Sequence, residues 1–274
     1  MHLFALIAVT MCAFAANSVL ARAGVFAYGM DPLLFAGLRL ASGAVMLAVL
    51  VGMRGGWARL DRGCVVTAGT LLLYLVPFSI AYLTLPSGIG ALILFGVVQI
   101  TMFGASYRAG TQPTARQWFG MAVAMVGLGW LLWPSETLAL DVSGVVFMIV
   151  SGFGWGLFSM RGRGSKDPLG DMALSFILCA PVAVVLMGMG DGWSMGGVAS
   201  AVLSGAVTSG LGYSLWYRVL PQIAATTGAV AQLSVPVIAI IAGAVLLSEA
   251  ITFDVVVAAA VVLGGIAVAA LKRR

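Results

Sequence analysis

Charged residues are scarce in this chain of 274 residues. Asp, Glu, Lys and Arg together make up 8% of the positions, hydrophobic residues make up 62%, and the mean hydropathy is +1.11. A soluble globular domain carries charge at about a quarter of its positions, so this composition excludes a soluble globule. The alternation of a β-barrel is also absent, and a lone strand cannot satisfy its backbone in lipid. The sequence therefore predicts an all-α polytopic membrane protein in a lipid bilayer.

Residues that hold metals or act as nucleophiles are equally few. The chain has one histidine, His2, at its N-terminus, and three cysteines without CxxC spacing, Cys12, Cys64 and Cys179. The sequence contains no nucleophile–base pair, phosphate-binding glycine loop or cluster of metal ligands. We therefore expect a protein that is not an enzyme and that uses no metal or other cofactor.

Ten apolar segments follow one another along the chain, separated by short breaks with Gly, Pro or charge. They cover residues 3–21, 32–52, 64–84, 88–107, 117–133, 142–160, 169–189, 196–217, 223–247 and 254–271. Each has about the length that a helix needs to cross a bilayer. We therefore expect ten transmembrane helices.

The second half of the chain repeats the first. The stretch Ser79–Pro86 returns as Ser214–Pro221 at an offset of 135, and Asp-Pro-Leu opens both the second segment, at Asp31, and the seventh, at Asp167. Each half holds five segments, an odd number, so the second copy enters the membrane from the opposite side. The sequence therefore predicts two inverted-topology five-helix repeats, 1–138 and 139–274.

The basic residues indicate the orientation of these helices. With the N-terminus in the cytoplasm, all but two of the fourteen Lys and Arg residues fall at cytoplasmic ends or loops, as the positive-inside rule requires. They are Arg54, Arg59, Arg62, Arg108, Arg116, Arg161, Arg163, Lys166, Arg218, Lys272, Arg273 and Arg274. The exceptions are Arg22, outside, and Arg39, within a segment. We expect both termini in the cytoplasm and no binding of nucleic acid, since the basic excess is a topology signal.

Several short motifs have a common pattern in known membrane carriers. They are Ser248-Glu249-Ala250-Ile251-Thr252 with Gly264-Gly265 in the second half, Arg116-Gln117-Trp118-Phe119-Gly120 in the first, and Trp155-Gly156 and Asn17-Ser18 in the opening helices. These motifs resemble the EamA family of the drug/metabolite transporter superfamily, although Thr111 stands where that family often has glutamate. The resemblance implies a ten-helix carrier in the bacterial inner membrane, commonly an exporter of amino acids or related metabolites. We expect it to be a monomer or a weak homodimer.

Aromatic residues recur at matching positions in the two halves. Phe78 and Tyr82 map onto Tyr213 and Tyr217 at the offset of 135, and Tyr74 lies one turn before Phe78. Residues four apart share one face of a helix, so we expect these rings to line a central substrate cavity from two sides. The alternative is ordinary packing or a belt of aromatic residues at the membrane surface.

Arg39 is the one charged residue deep in a segment. A cation in a membrane helix is by default a functional-site candidate, and its expected role is to bind a substrate carboxylate. The alternative is a structural arginine that binds helix-end carbonyls or reaches to the surface. Further candidates for substrate binding are the mid-helix amides and one indole, Asn17, Gln99, Gln232 and Trp155, which also have a packing alternative.

Three prolines, Pro77, Pro181 and Pro236, lie inside apolar segments. Proline removes a backbone donor and clashes with the preceding turn. We expect hinges or cavity-lining breaks there, with static kinks as the alternative.

Acidic residues are absent from the interior of all ten segments. A proton-driven carrier of cations usually needs a carboxylate within the membrane. We therefore expect export of small amphipathic metabolites, most of all aromatic or aliphatic amino acids, by alternating access and facilitated diffusion. The alternative is a carrier for efflux of drugs or other metabolites, with coupling to protons.

Overall fold

The computed structural model describes residues 2–56, 60–108, 110, 112–133, 140–162, 165–223 and 225–270, and all regular structure within them is helical. The α-helices are α1 His2–Arg22, α2 Pro32–Arg54, α3 Arg62–Ala81, α4 Ser87–Arg108, α5 Ala115–Leu132, α6 Val142–Gly162, α7 Pro168–Leu178, α8 Ala180–Met189, α9 Met195–Val202, α10 Gly212–Val219, α11 Ala225–Gln232, α12 Ser234–Leu247 and α13 Phe253–Ala270. A π-helical turn, Ala23–Ala27, follows α1, and a π-helical segment, Leu203–Leu211, joins α9 to α10. Several residues named above lie outside the described residues: Arg59, Thr111, Arg163, Lys272, Arg273 and Arg274, and so does the boundary between the predicted repeats.

Eight helical stretches in the described part of the chain are long and apolar enough to cross a membrane. They are Leu3–Ala27, Pro32–Arg54, Arg62–Ala81, Ser87–Ala105, Val142–Gly162, Met195–Gln222, Val230–Leu247 and Phe253–Ala270. The pair α7 and α8, bent by 42° at its break, makes a ninth. The predicted segment 117–133 forms α5, whose first turn carries Arg116 and Gln117, and is not among these stretches. The multi-pass helical class is confirmed, and the count of ten spans stays a prediction.

The repeated Asp-Pro-Leu sequences start two helices as predicted. Asp31 Oδ1 accepts the N–H groups of Leu33 and Leu34 at the start of α2, at 2.8 and 3.2 Å. Asp167 Oδ1 accepts the N–H of Gly170 at the start of α7, at 3.1 Å. Proline fits the first helical position because its missing N–H would have no partner there.

The two ends of the bundle differ in charge. Arg54 ends α2, Arg62 begins α3, Arg161 lies in the last turn of α6, and Arg218 in that of α10. We call this end the basic end, and the opposite end, where Arg22 meets Glu249, the Glu249 end. At the basic end Arg54 Nη2 donates to Asp167 Oδ2 at 2.8 Å. The Arg54 guanidinium lowers the pKa of the Asp167 carboxyl, so this pair is ionised at neutral pH.

The three prolines have different surroundings. α3 continues through Pro77, whose missing N–H leaves the carbonyl of Leu73 without its helical donor, and α6 approaches that carbonyl at Gly154. Pro181 begins α8 directly after the break at Cys179, and Pro236 lies just after the break at Leu233. Their role as hinges stays a prediction.

Glycines let helices touch at three contacts that shape the bundle. A Cβ on Gly265 of α13 would lie 2.5 Å from Ala124 N and 2.6 Å from Gly120 O of α5. A Cβ on Gly154 of α6 would lie 2.6 Å from Tyr74 N of α3, and one on Gly205 would collide with the carbonyl of Arg39 in α2. Small residues at such contacts allow backbones to approach closely in membranes. The last two contacts bring Tyr74 and Arg39 together at the centre of the bundle.

Neighbouring glycines in α13 test this packing. We expect Gly265→Ala to lower the melting temperature of the purified protein in detergent by several degrees, because overpacking costs about 1–3 kcal/mol. Gly264→Ala is the matched control, since a Cβ there meets nothing within 4 Å. Equal melting temperatures for the two variants would contradict the close contact between α5 and α13.

Candidate functional site

Arg39 is completely buried near the centre of the bundle. Its Nε donates to Ser209 Oγ at 3.0 Å, and its Nη2 donates to the hydroxyls of Tyr74 at 3.0 Å and Tyr213 at 2.8 Å. Tyr74 comes from α3, Ser209 from the π-helical segment and Tyr213 from α10. Three parts of the fold therefore meet at one guanidinium.

The partners of Arg39 are all neutral. The two hydroxyls also bond each other at 2.9 Å, and the guanidinium carbon lies 4.8 Å from the ring centre of Phe78. Among the described residues Arg39 forms no ion pair, and its Nη1 is buried without a hydrogen-bond partner. A buried cation with neutral partners and a spare donor is complementary to a small anion such as a carboxylate.

Asn17 organises the hydroxyls beside Arg39. Its Oδ1 accepts from Ser204 Oγ at 2.8 Å, Thr208 Oγ1 at 2.6 Å and Ser209 Oγ at 3.3 Å. Its Nδ2 donates to the Tyr213 hydroxyl at 3.4 Å. The three hydroxyl residues belong to the π-helical segment Leu203–Leu211, and π-helical turns are frequent at functional sites. Asn17 thus positions Ser209, which in turn binds Arg39.

Aromatic rings enclose this polar centre. Trp155 of α6 lies 4.9 Å from Tyr74, 4.7 Å from Tyr213 and 5.3 Å from Phe14, measured between ring centres. Its Nε1 is buried and has no hydrogen-bond partner in the part of the chain that the structure describes. The centre therefore offers two spare N–H donors, on Arg39 and on Trp155, beside flat apolar surfaces.

The rings continue from the centre toward the basic end. Phe158 lies 5.5 Å from Trp155 and 5.5 Å from Tyr217, and the Tyr217 hydroxyl donates to the carbonyl of Phe158 at 3.0 Å. Beyond Tyr217 a cavity of about 360 Å³ opens, and Tyr217 is part of its wall. A layer of rings that includes Phe158 and Tyr217 thus lies between this cavity and the centre.

At the Glu249 end, Glu249 ties three parts of the chain together. Its carboxylate accepts the N–H of Ser87 at 2.9 Å and the hydroxyl of Ser87 at 2.5 Å, and it lies 3.5 Å from Arg22 Nε. Arg22 Nη1 also donates to the carbonyls of Tyr82 and Leu83, both at 3.0 Å. The end of α1, the start of α4 and the connection after α12 are therefore joined on this side of the bundle.

The backbone before Glu249 is unusual. Ser248 has φ 56° and ψ 31°, a left-handed conformation that favours glycine. The N–H groups of Ser248 and Glu249 both donate to the carbonyl of Gly243. This turn ends α12 and directs Glu249 toward Ser87 and Arg22.

The structure brings together six of the ten substrate-binding candidates, Asn17, Arg39, Tyr74, Phe78, Trp155 and Tyr213. None of the other four shares a hydrogen bond with Arg39 in the described part of the chain, although the Tyr82 ring packs against Phe78 with 4.8 Å between the ring centres. The Tyr82 hydroxyl donates to the Ser87 carbonyl at 3.3 Å near the Glu249 end, and Tyr217 lies toward the basic end. Gln232 donates to the Gly228 carbonyl of its own helix, and Gln99 Nε2 is buried without a partner. The role of all ten in binding stays a prediction.

Sequence reasoning missed two features. The hydroxyl residues Ser204, Thr208 and Ser209 precede Tyr213 on the face predicted to line the cavity, and that spacing was the signal available. Arg22, the exception to the charge pattern, pairs with Glu249. The signal for that pair was that Arg22 is a basic residue predicted on the outer side of the membrane, where the loop that holds Glu249 is also predicted.

Comparison with known proteins agrees with this architecture. A family model described as "EamA-like transporter family" matches residues 142–271. An uncharacterized protein of Pseudomonas aeruginosa is 42% identical over 260 residues, which cover 94% of this chain and 90% of that protein. An uncharacterized transporter of Archaeoglobus fulgidus is 22% identical over 252 residues, covering 89% and 90%.

A solved crystal structure has the same fold. It matches with a TM-score of 0.71 at 17% identity, covering 96% of this chain and 95% of its own. The family match and the apolar helices support one conclusion about the class of protein. The chain belongs to the EamA-like transporter family, part of the drug/metabolite transporter superfamily, and is a multi-pass membrane protein.

Proposed function

We propose that the protein exports small amphipathic metabolites, most of all aromatic or aliphatic amino acids, across the bacterial inner membrane. The observation that carries the proposal is the buried Arg39 guanidinium, which has a spare donor, no carboxylate partner among the described residues, and aromatic walls. The carboxylate of the substrate binds Arg39, and the side chain of the substrate packs on Trp155, Tyr74 and Tyr213. A permanent cation at the centre disfavours cationic drugs as substrates.

Alternating access between two inverted halves is the proposed mechanism. The helix contacts support it. When each helix is replaced by its counterpart in the other half, one observed helix contact becomes another observed helix contact. α3 packs on α6 as α1 packs on α10, and α4 packs on α6 as α1 packs on α12. α2 packs on α7 and α8, α4 on α12, and α5 on α13, contacts that would lie on the two-fold axis. Five helices in each half, 1–138 and 139–274, account for this pattern.

The orientation follows from the charges. With the basic end in the cytoplasm, both termini are cytoplasmic and the Glu249 end faces outward. In the described conformation the contacts among Arg22, Glu249 and Ser87 then hold the outer end of the bundle together. The cavity at the inner end extends to Tyr217. Outward release of the substrate requires that the Glu249 contacts break.

Counterflow in proteoliposomes tests the proposed function. We expect labelled phenylalanine or leucine to exchange with unlabelled amino acid, and the rate to be independent of a pH gradient because no carboxylate lies in the interior of a predicted membrane segment. If no member of a panel of amino acids is exchanged, the amino-acid assignment is refuted. Exchange that requires the gradient would refute facilitated diffusion.

Substitutions of Arg39 test its role toward the carboxylate. We expect Arg39→Gln to weaken the binding of zwitterionic substrates about 10-fold or more, because hydrogen bonds to charged groups contribute about 1.5–3 kcal/mol. Arg39→Lys is expected to retain part of the transport. The control is Arg218→Gln, an exposed position at the basic end, with folding of each variant checked by thermal melting. Equal transport by the folded Arg39→Gln variant would exclude carboxylate binding by Arg39.

Substitution of Glu249 tests the closure of the outer mouth. Ser18 is buried in α1 one turn before Arg22, and a cysteine there, with the native cysteines replaced, reports access from outside. We expect Glu249→Gln to speed labelling of Ser18→Cys by an impermeant maleimide several-fold, because the ion pair with Arg22 is lost. Asp191→Asn, an exposed acid at the same end, is the control. An unchanged labelling rate would show that these contacts do not hold the mouth closed.

A further inference from the structure

The cavity at the basic end has charges of both signs in its wall. It has a volume of about 360 Å³, near the lower limit of pockets that hold small ligands. Its wall includes the starts of α3 and α7, the end of α6, and α10. Residues that matter for its chemistry are Asp61, Thr67, Arg161, Asp171, Ser175 and Tyr217.

The opposite charges around the cavity are not paired with each other. In the described part of the chain neither Asp61 nor Asp171 forms an ion pair with Arg161, whereas Arg54 and Asp167 at the same end do pair. Among the described residues the Arg161 guanidinium therefore has no carboxylate partner, and it can pair with the anionic group of a solute. A solute with one positive and one negative group satisfies both kinds of charge at once.

The two carboxylates are held in place by the protein. Asp61 accepts the N–H of Cys64 at 2.8 Å as the cap of α3, and this hydrogen bond, with a smaller effect of Arg161, lowers the pKa of the Asp61 carboxyl. Asp171 accepts the hydroxyl of Ser165 at 2.5 Å. Each carboxylate has further lone pairs for an ammonium group.

Hydroxyl groups add acceptors to the same wall. Thr67 Oγ1 donates to the carbonyl of Gly63 at 2.9 Å, and Ser175 Oγ donates to the carbonyl of Asp171 at 2.7 Å. Both hydroxyls have thus used their hydrogens locally, and their lone pairs stay available as acceptors. The wall accordingly suits a donor group such as an ammonium beside the carboxylates.

The position of the cavity relates it to Arg39. Tyr217 is 2% exposed and is fixed by its bond to the Phe158 carbonyl. Tyr213, one helical turn away, binds Arg39. Movement of the Phe158 and Tyr217 rings would join the cavity to the centre.

We propose that this cavity is a loading site, which binds a zwitterionic amino acid from the cytoplasm before it reaches Arg39. The ammonium group binds Asp171 and Asp61, and the carboxylate binds Arg161. The inference rests on the proposed function and extends it, because it requires an amino group as well as a carboxylate in the substrate. Among the described residues no acidic side chain hydrogen-bonds or pairs with Arg39, so the central site does not by itself impose that requirement.

The test compares variants of the full-length protein in proteoliposomes. We expect Arg161→Gln and Asp171→Asn each to raise the KM for L-phenylalanine about 10-fold or more, with the maximal rate nearly unchanged, because they weaken loading and leave the central site intact. Asp61→Asn is expected to act likewise and to keep its cap, since Asn caps helices as well as Asp does. Arg218→Gln is the matched control and should leave KM unchanged.

Direct binding to the purified protein separates the two sites. In the Arg39→Gln background we expect calorimetry to detect binding of L-phenylalanine, at least 10-fold weaker binding of N-acetyl-L-phenylalanine and L-phenylalaninamide, and loss of binding when Arg161→Gln is added. Folding of each variant is verified by thermal melting. If the original protein transports amino acids and the folded Arg161→Gln and Asp171→Asn variants have an unchanged KM, the loading site is refuted while the proposed function stands. Absence of amino-acid transport by the original protein would instead refute the proposed function.

Discussion

The burial of one guanidinium that has no counter-ion among the described residues is the constraint around which the centre of the bundle is built. Removing Arg39 from water is costly, and the protein offsets that cost with two tyrosine hydroxyls, one serine hydroxyl and an aromatic face. These groups converge only because Gly154 and Gly205 let their helices approach α3 and α2 closely. The compensation is incomplete, since Nη1 keeps no partner, and this incompleteness makes the centre suited to a ligand.

The two ends of the bundle differ in their polar contacts. At one end Glu249 accepts the N–H of Ser87 and forms an ion pair with Arg22. The basic end instead has a cavity whose opposite charges are held apart. Under the proposed alternation between two mouths, these unlike contacts give the two closed mouths unequal stability, and such a difference determines which side opens in the absence of substrate.

Much of the site was visible before the structure, and the reason is the rarity of polar residues in membrane helices. Arg39 and Asn17 stand out in apolar segments, and the offset of 135 marks Phe78 and Tyr213. Gln99 and Gln232 stand out equally, yet neither contacts Arg39, because the rotation of a helix about its axis depends on its neighbours. Ser204 and Thr208 do not stand out by residue type, since hydroxyl residues are common in membrane helices, and only their spacing before Tyr213 marked them.

Composition and charge placement determined the helical membrane class, because bilayer thickness and the cost of buried charge act on the sequence alone. The family resemblance came from short motifs such as Ser248–Thr252. Tertiary structure decided which polar groups meet. The pairing of Arg22 with Glu249, the contact of Asn17 with the π-helical segment, and the cavity between Asp61, Arg161 and Asp171 join residues more than 100 positions apart in most cases. Such contacts depend on which helices pack together at small residues, and no local sequence pattern specifies the partner helix.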